Sequence, residues 1–310
     1  MSDPIAYDSA MTNATAPHSA PFGQLLTAMV TPFDAEGEVD FVKARELAAY
    51  LVDEMHNDAL VISGTTGESP TTTRAEKREL LVQVIDEIGD RAQVVAGVGT
   101  NDTRSTIALA TDAAEVGADG LLVVTPYYSK PPQSGLLAHF RAVGDATELP
   151  IIMYDIPHRS GAAIEEATLI ELAEHPRIVA VKDAKGNLPS SSLVMARTDL
   201  AYYSGDDAMT LPLLAVGGVG LVGTSTHFTG AQAKQMIQAY AAGDTARALE
   251  LHRRLYPAFV GVFATQGCIL VKAGLELIGR PVGGLRSPMP EATAEQRDAF
   301  AACLSAAGLH

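Results

Sequence analysis

Cysteine and basic residues are both scarce in this sequence. Of its 310 residues only Cys268 and Cys303 are cysteines, and their spacing fits no metal-binding motif. We therefore predict neither a disulfide framework nor a zinc site. The 22 Lys and Arg residues face 37 Asp and Glu residues, which gives a formal net charge of −15. Because an acidic chain is repelled by phosphate backbones and anionic headgroups, we expect no nucleic-acid or membrane partner.

Long apolar segments are missing as well. No apolar run reaches the ~18 residues that a membrane span requires. The first 22 residues contain no Lys or Arg and no apolar core, so they do not resemble a signal or transit peptide. We interpret residues 1–22 as a flexible N-terminal tail and expect a cytoplasmic protein.

The remaining sequence alternates short apolar runs with amphipathic stretches, and 47% of all residues are hydrophobic. Such alternation indicates βα units and a parallel sheet, and continuous apolar strands are typical of a sheet buried on both faces. Eight units favour a closed (β/α)₈ TIM barrel of the α/β class over residues 23–243. The predicted strands are Leu25–Val30, Ala59–Ser63, Gln93–Val98, Gly120–Thr125, Ile151–Tyr154, Ile178–Lys182, Ala201–Ser204 and Val219–Gly223.

Residues 244–310 predict a C-terminal helical extension packed on the barrel. They include a long helical stretch, Gly261–Ile278, and a capping box at 293–296. A similar capping box at 73–76 opens the helix after the second strand. In such a box a Ser or Thr side chain and a Glu or Gln side chain satisfy each other's free backbone N–H groups.

Lys182 is the most informative residue, because it ends a strand that is otherwise apolar. Burial disfavours the ammonium form and lowers the pKa of a lysine. The neutral amine is the form that attacks a carbonyl and forms a Schiff base. A lysine that merely extends out of the core to solvent is an equally good reading of this residue taken alone.

Other side chains that could bind a substrate or transfer a proton follow the ends of other strands. In a barrel of this type the active site lies at the carboxyl ends of the strands. The glycine- and threonine-rich loop Gly64–Glu68 suits a carboxylate, although ordinary βα loops have similar composition. Glu68 could be a base, but a structural carboxylate is favoured. Tyr154 could carry a proton and Arg159 could hold a substrate carboxylate. We interpret Lys272, in the extension, as structural and solvent-reaching.

Five motifs together resemble one known family, the dihydrodipicolinate synthase / N-acetylneuraminate lyase family. The resemblance extends from about Leu25 to the end of the chain. Within the family, the paired threonines and Arg159 resemble members that condense pyruvate with L-aspartate 4-semialdehyde, since sialic-acid lyases typically have a serine at the position of Thr65. The motifs are Gly64-Thr65-Thr66-Gly67-Glu68, Thr125-Pro126-Tyr127-Tyr128, Tyr154-x-x-Pro157-x-Arg159-x-Gly161, Val181-Lys182-Asp183-Ala184 and Ser204-Gly205-Asp206-Asp207.

The resemblance implies a catalytic role for four residues. Lys182 would form the Schiff base with pyruvate. Thr65, Tyr154 and Tyr128 would form a proton relay, with Tyr128 reaching into the site of a neighbouring subunit. The reaction would belong to diaminopimelate and lysine biosynthesis, and it requires no metal or organic cofactor.

The resemblance also implies a set of binding residues and an assembly. The backbone of Thr65 and Thr66 would bind the pyruvate carboxylate, and Arg159 would bind that of the semialdehyde. Gly205 and Val222 match positions that line the pocket near the lysine. The family's homotetramer, a dimer of dimers, is the expected assembly.

One departure from the family concerns feedback inhibition. Inhibited members bind lysine at a dimer interface with histidines and a glutamate. This chain has Arg74, Lys77 and Ser105 at those places, although Ser69, Asn101 and Tyr127 remain compatible. Because added cations repel a cationic effector, we predict weak or absent inhibition by lysine.

Two rival interpretations remain open from the sequence. Another pyruvate-dependent aldolase or lyase would keep Lys182 and Tyr154 but prefer a different aldehyde, and Arg159 discriminates between the two. A non-catalytic ligand-binding paralogue would have lost a catalytic group, yet Lys182, Tyr154, Thr65 and Tyr128 are all present.

Overall fold

The computed structural model describes residues 19–309. Most of the predicted N-terminal tail therefore lies outside the described residues. The last residue of that tail, Phe22, is buried under the barrel, so the ordered fold begins before Gly23.

Eight strands form the core of the molecule, and each lies within two residues of its predicted bounds. The strands are β1 (Leu25–Ala28), β2 (Ala59–Ile62), β3 (Gln93–Gly97), β4 (Gly120–Val124), β5 (Ile151–Asp155), β6 (Ile178–Asp183), β7 (Ala201–Ser204) and β8 (Gly220–Gly223). Each strand pairs in parallel with the next, and β8 pairs with β1, which closes the barrel. The predicted TIM barrel is confirmed.

Helices follow the strands around the barrel and continue beyond it. The helices are α1 (Phe41–Asp53), α2 (Arg74–Ile88), α3 (Thr103–Glu115), α4 (Gln133–Asp145), α5 (Pro157–Ser160), α6 (Glu166–Leu172), α7 (Leu188–Met195), α8 (Thr210–Leu214), α9 (Thr226–Ala241), α10 (Thr245–Gly261), α11 (Gly267–Leu277) and α12 (Ala294–Ala306). Both predicted capping boxes are present, at the starts of α2 and α12. No helix within residues 19–309 is long and apolar enough to cross a bilayer.

Side chains of the strands alternate between the barrel interior and the layer beneath the helices. The interior is filled by a separate apolar cluster that includes Val61, Val95 and Ile152. Phe22 fills the foot of the barrel, where its N–H donates to the Tyr203 hydroxyl at 3.2 Å. A packed interior and a filled foot leave the opposite end, the mouth, as the place for a site.

The C-terminal helices confirm the predicted extension but not its longest helix. The predicted helical stretch Gly261–Ile278 corresponds to α11, which begins only at Gly267, while Gly261 is the last residue of α10. A Cβ atom at Gly261 would lie 2.7 Å from the Cys303 sulfur, so α10 ends in direct contact with α12. The break allows both α10 and α11 to pack against α12, a requirement that local periodicity does not reveal.

Candidate active site

A cavity of about 1030 Å³ occupies the mouth of the barrel, at the carboxyl ends of the strands. The C-terminal helices close one side of it, because α10 contributes Tyr256, Phe259 and Val260 to its wall. The sequence-predicted site residues in its lining are Thr65, Thr66, Tyr154, Arg159, Lys182 and Gly205.

Lys182 lies at the end of β6, where it is only 4% exposed. Its Nζ atom lies 4.3 Å from the centre of the Tyr154 ring. It makes no ion pair or hydrogen bond with a group in the described range 19–309. Burial lowers the pKa of Lys182 to about 8, assisted by Arg159 and opposed by Asp207. The side chain therefore does not extend to solvent, and a larger fraction of its amine is neutral near pH 7 than in an exposed lysine.

Tyr154 is placed beside the lysine by strand register, since it is the direct partner of Lys182 across β5 and β6. Its side chain is buried, and burial raises its pKa to about 12, with Arg159 acting in the opposite direction. The phenol therefore stays protonated and can donate to a reacting oxygen.

The loop Gly64–Glu68 presents backbone donors to the cavity. The N–H groups of Gly67 and Glu68 donate back to carbonyls of the loop, at 3.1 and 3.2 Å. Those of Thr65 and Thr66 donate to no acceptor in the described part of the chain. Two adjacent free N–H groups suit an anionic oxygen pair such as a carboxylate.

Thr224 is a cavity residue that sequence reasoning missed. Its hydroxyl lies 3.4 Å from that of Thr66, so it joins the loop after β8 to the loop after β2. Its backbone N–H donates to the fully buried carboxylate of Asp207 at 3.2 Å. Asp207 belongs to the sequence motif that follows β7. Its hydrogen-bond partners lie in the loop after β8, and the sequence does not show that the two loops meet.

Arg159 lies in the short helix α5, where it is exposed at the rim of the cavity. Its charge lowers the pKa of both Lys182 and Tyr154. His158 precedes it in the same helix and is also exposed at the rim. Arg159 therefore places a cation at the rim of the cavity, whereas the Lys182 amine lies deeper.

Gly205 leaves space for the lysine side chain. A Cβ atom at this position would lie 3.1 Å from Cγ of Lys182 and 3.0 Å from Cβ of Ala184. Both separations are tighter than ordinary contacts, so a side chain here would displace the stem of Lys182.

Two predicted site residues do not line this cavity. Tyr128 is 89% exposed, with a positive φ of 72°, and lies beside a smaller cavity of about 500 Å³ that shares Thr65 and Arg159. Val222 is fully buried among the side chains of the barrel interior. The roles assigned to both residues remain predictions.

Glu68 and Lys272 form an ion pair at the back of the site. The Lys272 Nζ atom lies 2.8 Å from Oε1 of Glu68, and both side chains are almost fully buried. The interpretation of Glu68 as a structural carboxylate is consistent with this contact. The expectation that Lys272 reaches solvent is wrong, because its ammonium is enclosed by the carboxylate and by the carbonyl of Gly284 at 2.6 Å.

Comparison with known proteins shows the relationships of this chain. Residues 21–307 match the model of the dihydrodipicolinate synthetase family. A protein of Acidothermus cellulolyticus described as 4-hydroxy-tetrahydrodipicolinate synthase is 63% identical, over 96% of each chain. One of Cutibacterium acnes with the same description is 60% identical, over 91% of this chain and 97% of that one.

A solved structure gives the same result. Dihydrodipicolinate synthase from Cyanidioschyzon merolae, determined with lysine bound, superposes with a TM-score of 0.92 at 42% identity, over 94% of this chain and all of that one. The barrel, the cavity at its mouth and the sequence match agree, and the chain belongs to the dihydrodipicolinate synthetase family.

Proposed function

We propose that this chain catalyses the 4-hydroxy-tetrahydrodipicolinate synthase reaction with Lys182 as its nucleophile. The reaction condenses pyruvate with L-aspartate 4-semialdehyde through a lysine Schiff base, and it belongs to diaminopimelate and lysine biosynthesis. The observation that carries the assignment of Lys182 is its buried amine beside Tyr154 at the barrel mouth, which has no ion-pair or hydrogen-bond partner within residues 19–309.

Pyruvate binds with its carboxylate on the free N–H groups of Thr65 and Thr66. This places the keto carbon toward the Lys182 amine. The amine adds to the carbonyl, and loss of water gives an iminium. Tyr154 supplies the proton that allows the hydroxyl to leave as water, and Thr65 and Tyr128 connect that phenol to solvent.

The iminium then withdraws electrons from the neighbouring methyl carbon of the bound pyruvate, which makes a methyl proton easier to remove. Loss of a methyl proton to the relay of Thr65, Tyr154 and Tyr128 gives an enamine, whose carbon attacks the aldehyde of the second substrate. The new C–C bond forms as the iminium is restored, and the aldehyde oxygen takes a proton from the relay and becomes a hydroxyl. Arg159, at the rim of the cavity, holds the carboxylate of the semialdehyde. The amino group of that substrate next displaces Lys182 from the imine carbon, which closes the six-membered ring and restores the free lysine.

Tyr128 completes the relay only when another subunit supplies it. Its side chain is 89% exposed, and its backbone N–H donates to the Ser160 carbonyl at 3.2 Å. Because the Tyr128 backbone is fixed by a hydrogen bond while its side chain is exposed, we favour a dimer in which each copy contributes Tyr128 to the other's site. A homotetramer built from two such dimers extends this proposal, and a cytoplasmic location stays a prediction from the sequence.

Two measurements on the purified protein test the proposal. Pyruvate with borohydride should add mass to Lys182, and pyruvate should be consumed with L-aspartate 4-semialdehyde but not with N-acetylmannosamine. Lys182→Ala should abolish both. Turnover with another aldehyde would keep the Schiff base and overturn the substrate, whereas no mass gain would favour a non-catalytic binder.

A further inference from the structure

The loop that carries Thr65 and Thr66 ends in an energetically costly residue. Glu68 has a left-handed backbone with φ of 55°, and its carboxylate is 3% exposed. A non-glycine residue in this conformation costs about 1–3 kcal/mol, and a buried carboxylate requires compensating partners. Such a residue persists only where its surroundings hold it in place.

The C-terminal extension provides those surroundings. Lys272 in α11 contacts Oε1 of Glu68 at 2.8 Å, and the backbone N–H of Arg286 donates to Oε2 at 3.0 Å. The Lys272 ammonium also donates to the Gly284 carbonyl at 2.6 Å and lies 4.2 Å from the centre of the Phe33 ring. Both charges are therefore held at fixed positions by groups outside the loop.

We infer that the Glu68–Lys272 ion pair is a positioning device for the loop, and that it sets the direction of the two free N–H groups at Thr65 and Thr66. The inference rests on the proposed function, in which those groups receive the pyruvate carboxylate. Lys272 does not contact the substrate. It acts through Glu68, two residues beyond Thr66, where a small rotation of the backbone would redirect both donors.

A merely structural ion pair would behave differently, and the chain contains a suitable comparison. Lys234 in α9 pairs with Asp58 at the foot of the barrel. Asp58 also accepts from the N–H groups of Gln24 and Leu25, at 2.7 and 3.0 Å. This second pair joins a helix to a strand end, as the first joins a helix to a loop, but it lies at the opposite end from the cavity.

The test measures the two half-reactions separately in Lys272→Met and in the matched control Lys234→Met. In a Schiff-base enzyme that binds pyruvate first, kcat/KM for pyruvate reports on formation of the Schiff base, and kcat/KM for the semialdehyde reports on the later condensation. In Lys272→Met we expect kcat/KM for pyruvate to fall about tenfold or more. This fold-loss should be about five times the fold-loss in kcat/KM for the semialdehyde. In Lys234→Met we expect both to stay within about twofold of the wild type.

Equal losses for the two substrates in Lys272→Met, or the same selective loss in Lys234→Met, would overturn the inference. If Lys272→Met does not fold, Glu68→Gln replaces it under the same criteria, because it keeps the side-chain shape and an oxygen acceptor for Arg286. Borohydride trapping of pyruvate on wild-type Lys182 is run alongside. Its failure would overturn the proposed function itself, and with it this inference, whereas successful trapping with unselective losses would overturn the inference alone.

Discussion

Two of the buried lysines have different surroundings, Lys182 at the mouth of the barrel and Lys272 in α11 of the C-terminal extension. Burial lowers the pKa of both. The Lys182 amine lies over an aromatic ring without an acceptor in the described residues, whereas a carboxylate and a carbonyl enclose the Lys272 ammonium. The difference shows that burial alone does not make a lysine reactive, since a carboxylate partner keeps it charged and fixed.

The same substitution at both positions should separate the two roles. Lys182→Met should reduce turnover about 10³-fold or more, because the nucleophile is lost. Its midpoint of thermal unfolding should not fall, since no hydrogen bond or ion pair is removed and an apolar chain replaces a desolvated amine. Steady-state kinetics and a melting curve test this, and retained turnover would contradict the assignment.

Lys272→Met should lower stability in addition to its selective effect on kcat/KM for pyruvate. It leaves the carboxylate of Glu68 buried without its partner, so the free energy of unfolding should fall by about 3–5 kcal/mol. Denaturant unfolding measures this. The double variant Glu68→Gln/Lys272→Met should recover part of the loss, because neither charge remains buried. Wild-type stability in Lys272→Met would show that the pair contributes nothing.

Gly205→Ala would test how closely the site is built around Lys182. The added methyl group would press on the Lys182 side chain and on Ala184. We expect kcat/KM for pyruvate to fall about tenfold, because the amine is moved away from its attack position. Circular dichroism and a melting curve serve as controls for the fold, and an unchanged kcat/KM would mean that the stem can move freely.

The pH dependence should distinguish an unpaired lysine from a paired one. Because burial lowers the pKa of Lys182 to about 8, the neutral amine accumulates as the pH rises through that value. The rate of borohydride-trapped adduct formation should therefore rise toward a plateau above pH 8. Arg159→Met should move the midpoint upward, since the Arg159 charge lowers the pKa. A midpoint near the ordinary lysine value would contradict the effect of burial.

The smallest expected effect concerns a third buried lysine, Lys77, in α2. Its ammonium donates to the Ser69 carbonyl at 2.8 Å and to the Thr72 hydroxyl at 2.7 Å. Arg74 is paired with Asp112. Since these cations lie where inhibited relatives are expected to bind the effector, we predict that added L-lysine changes turnover little. Strong inhibition at submillimolar L-lysine would contradict this.

Sequence patterns were sufficient for the barrel because each strand is a continuous apolar run with its own boundaries. They also identified Lys182 and Tyr154, since a polar side chain at the end of such a run is conspicuous. Strand register then brings the two together. The predictions of the strands, of Lys182 and of Tyr154 depend only on local sequence and on the rule that barrel active sites lie at the carboxyl ends of the strands.

The errors have a common physical origin in contacts between distant segments. Lys272 was expected in solvent because its partner Glu68 lies on a different element, far away in the chain. The break after α10 depends on contact with α12, and Thr224 enters the site through the loop after β8. Periodicity describes what a segment does alone, so it does not identify which remote segment will enclose it.

The filled foot of the barrel limits the routes by which the proposed substrates could reach Lys182. Phe22 fills that end, so in the proposed reaction pyruvate, the semialdehyde and the product would pass through the mouth. Because the amine lies deep and Arg159 lies at the rim, the proposed reaction has pyruvate bind before the second substrate. The proposed covalent bond to Lys182 would then keep the first substrate from leaving by the route through which the second one enters.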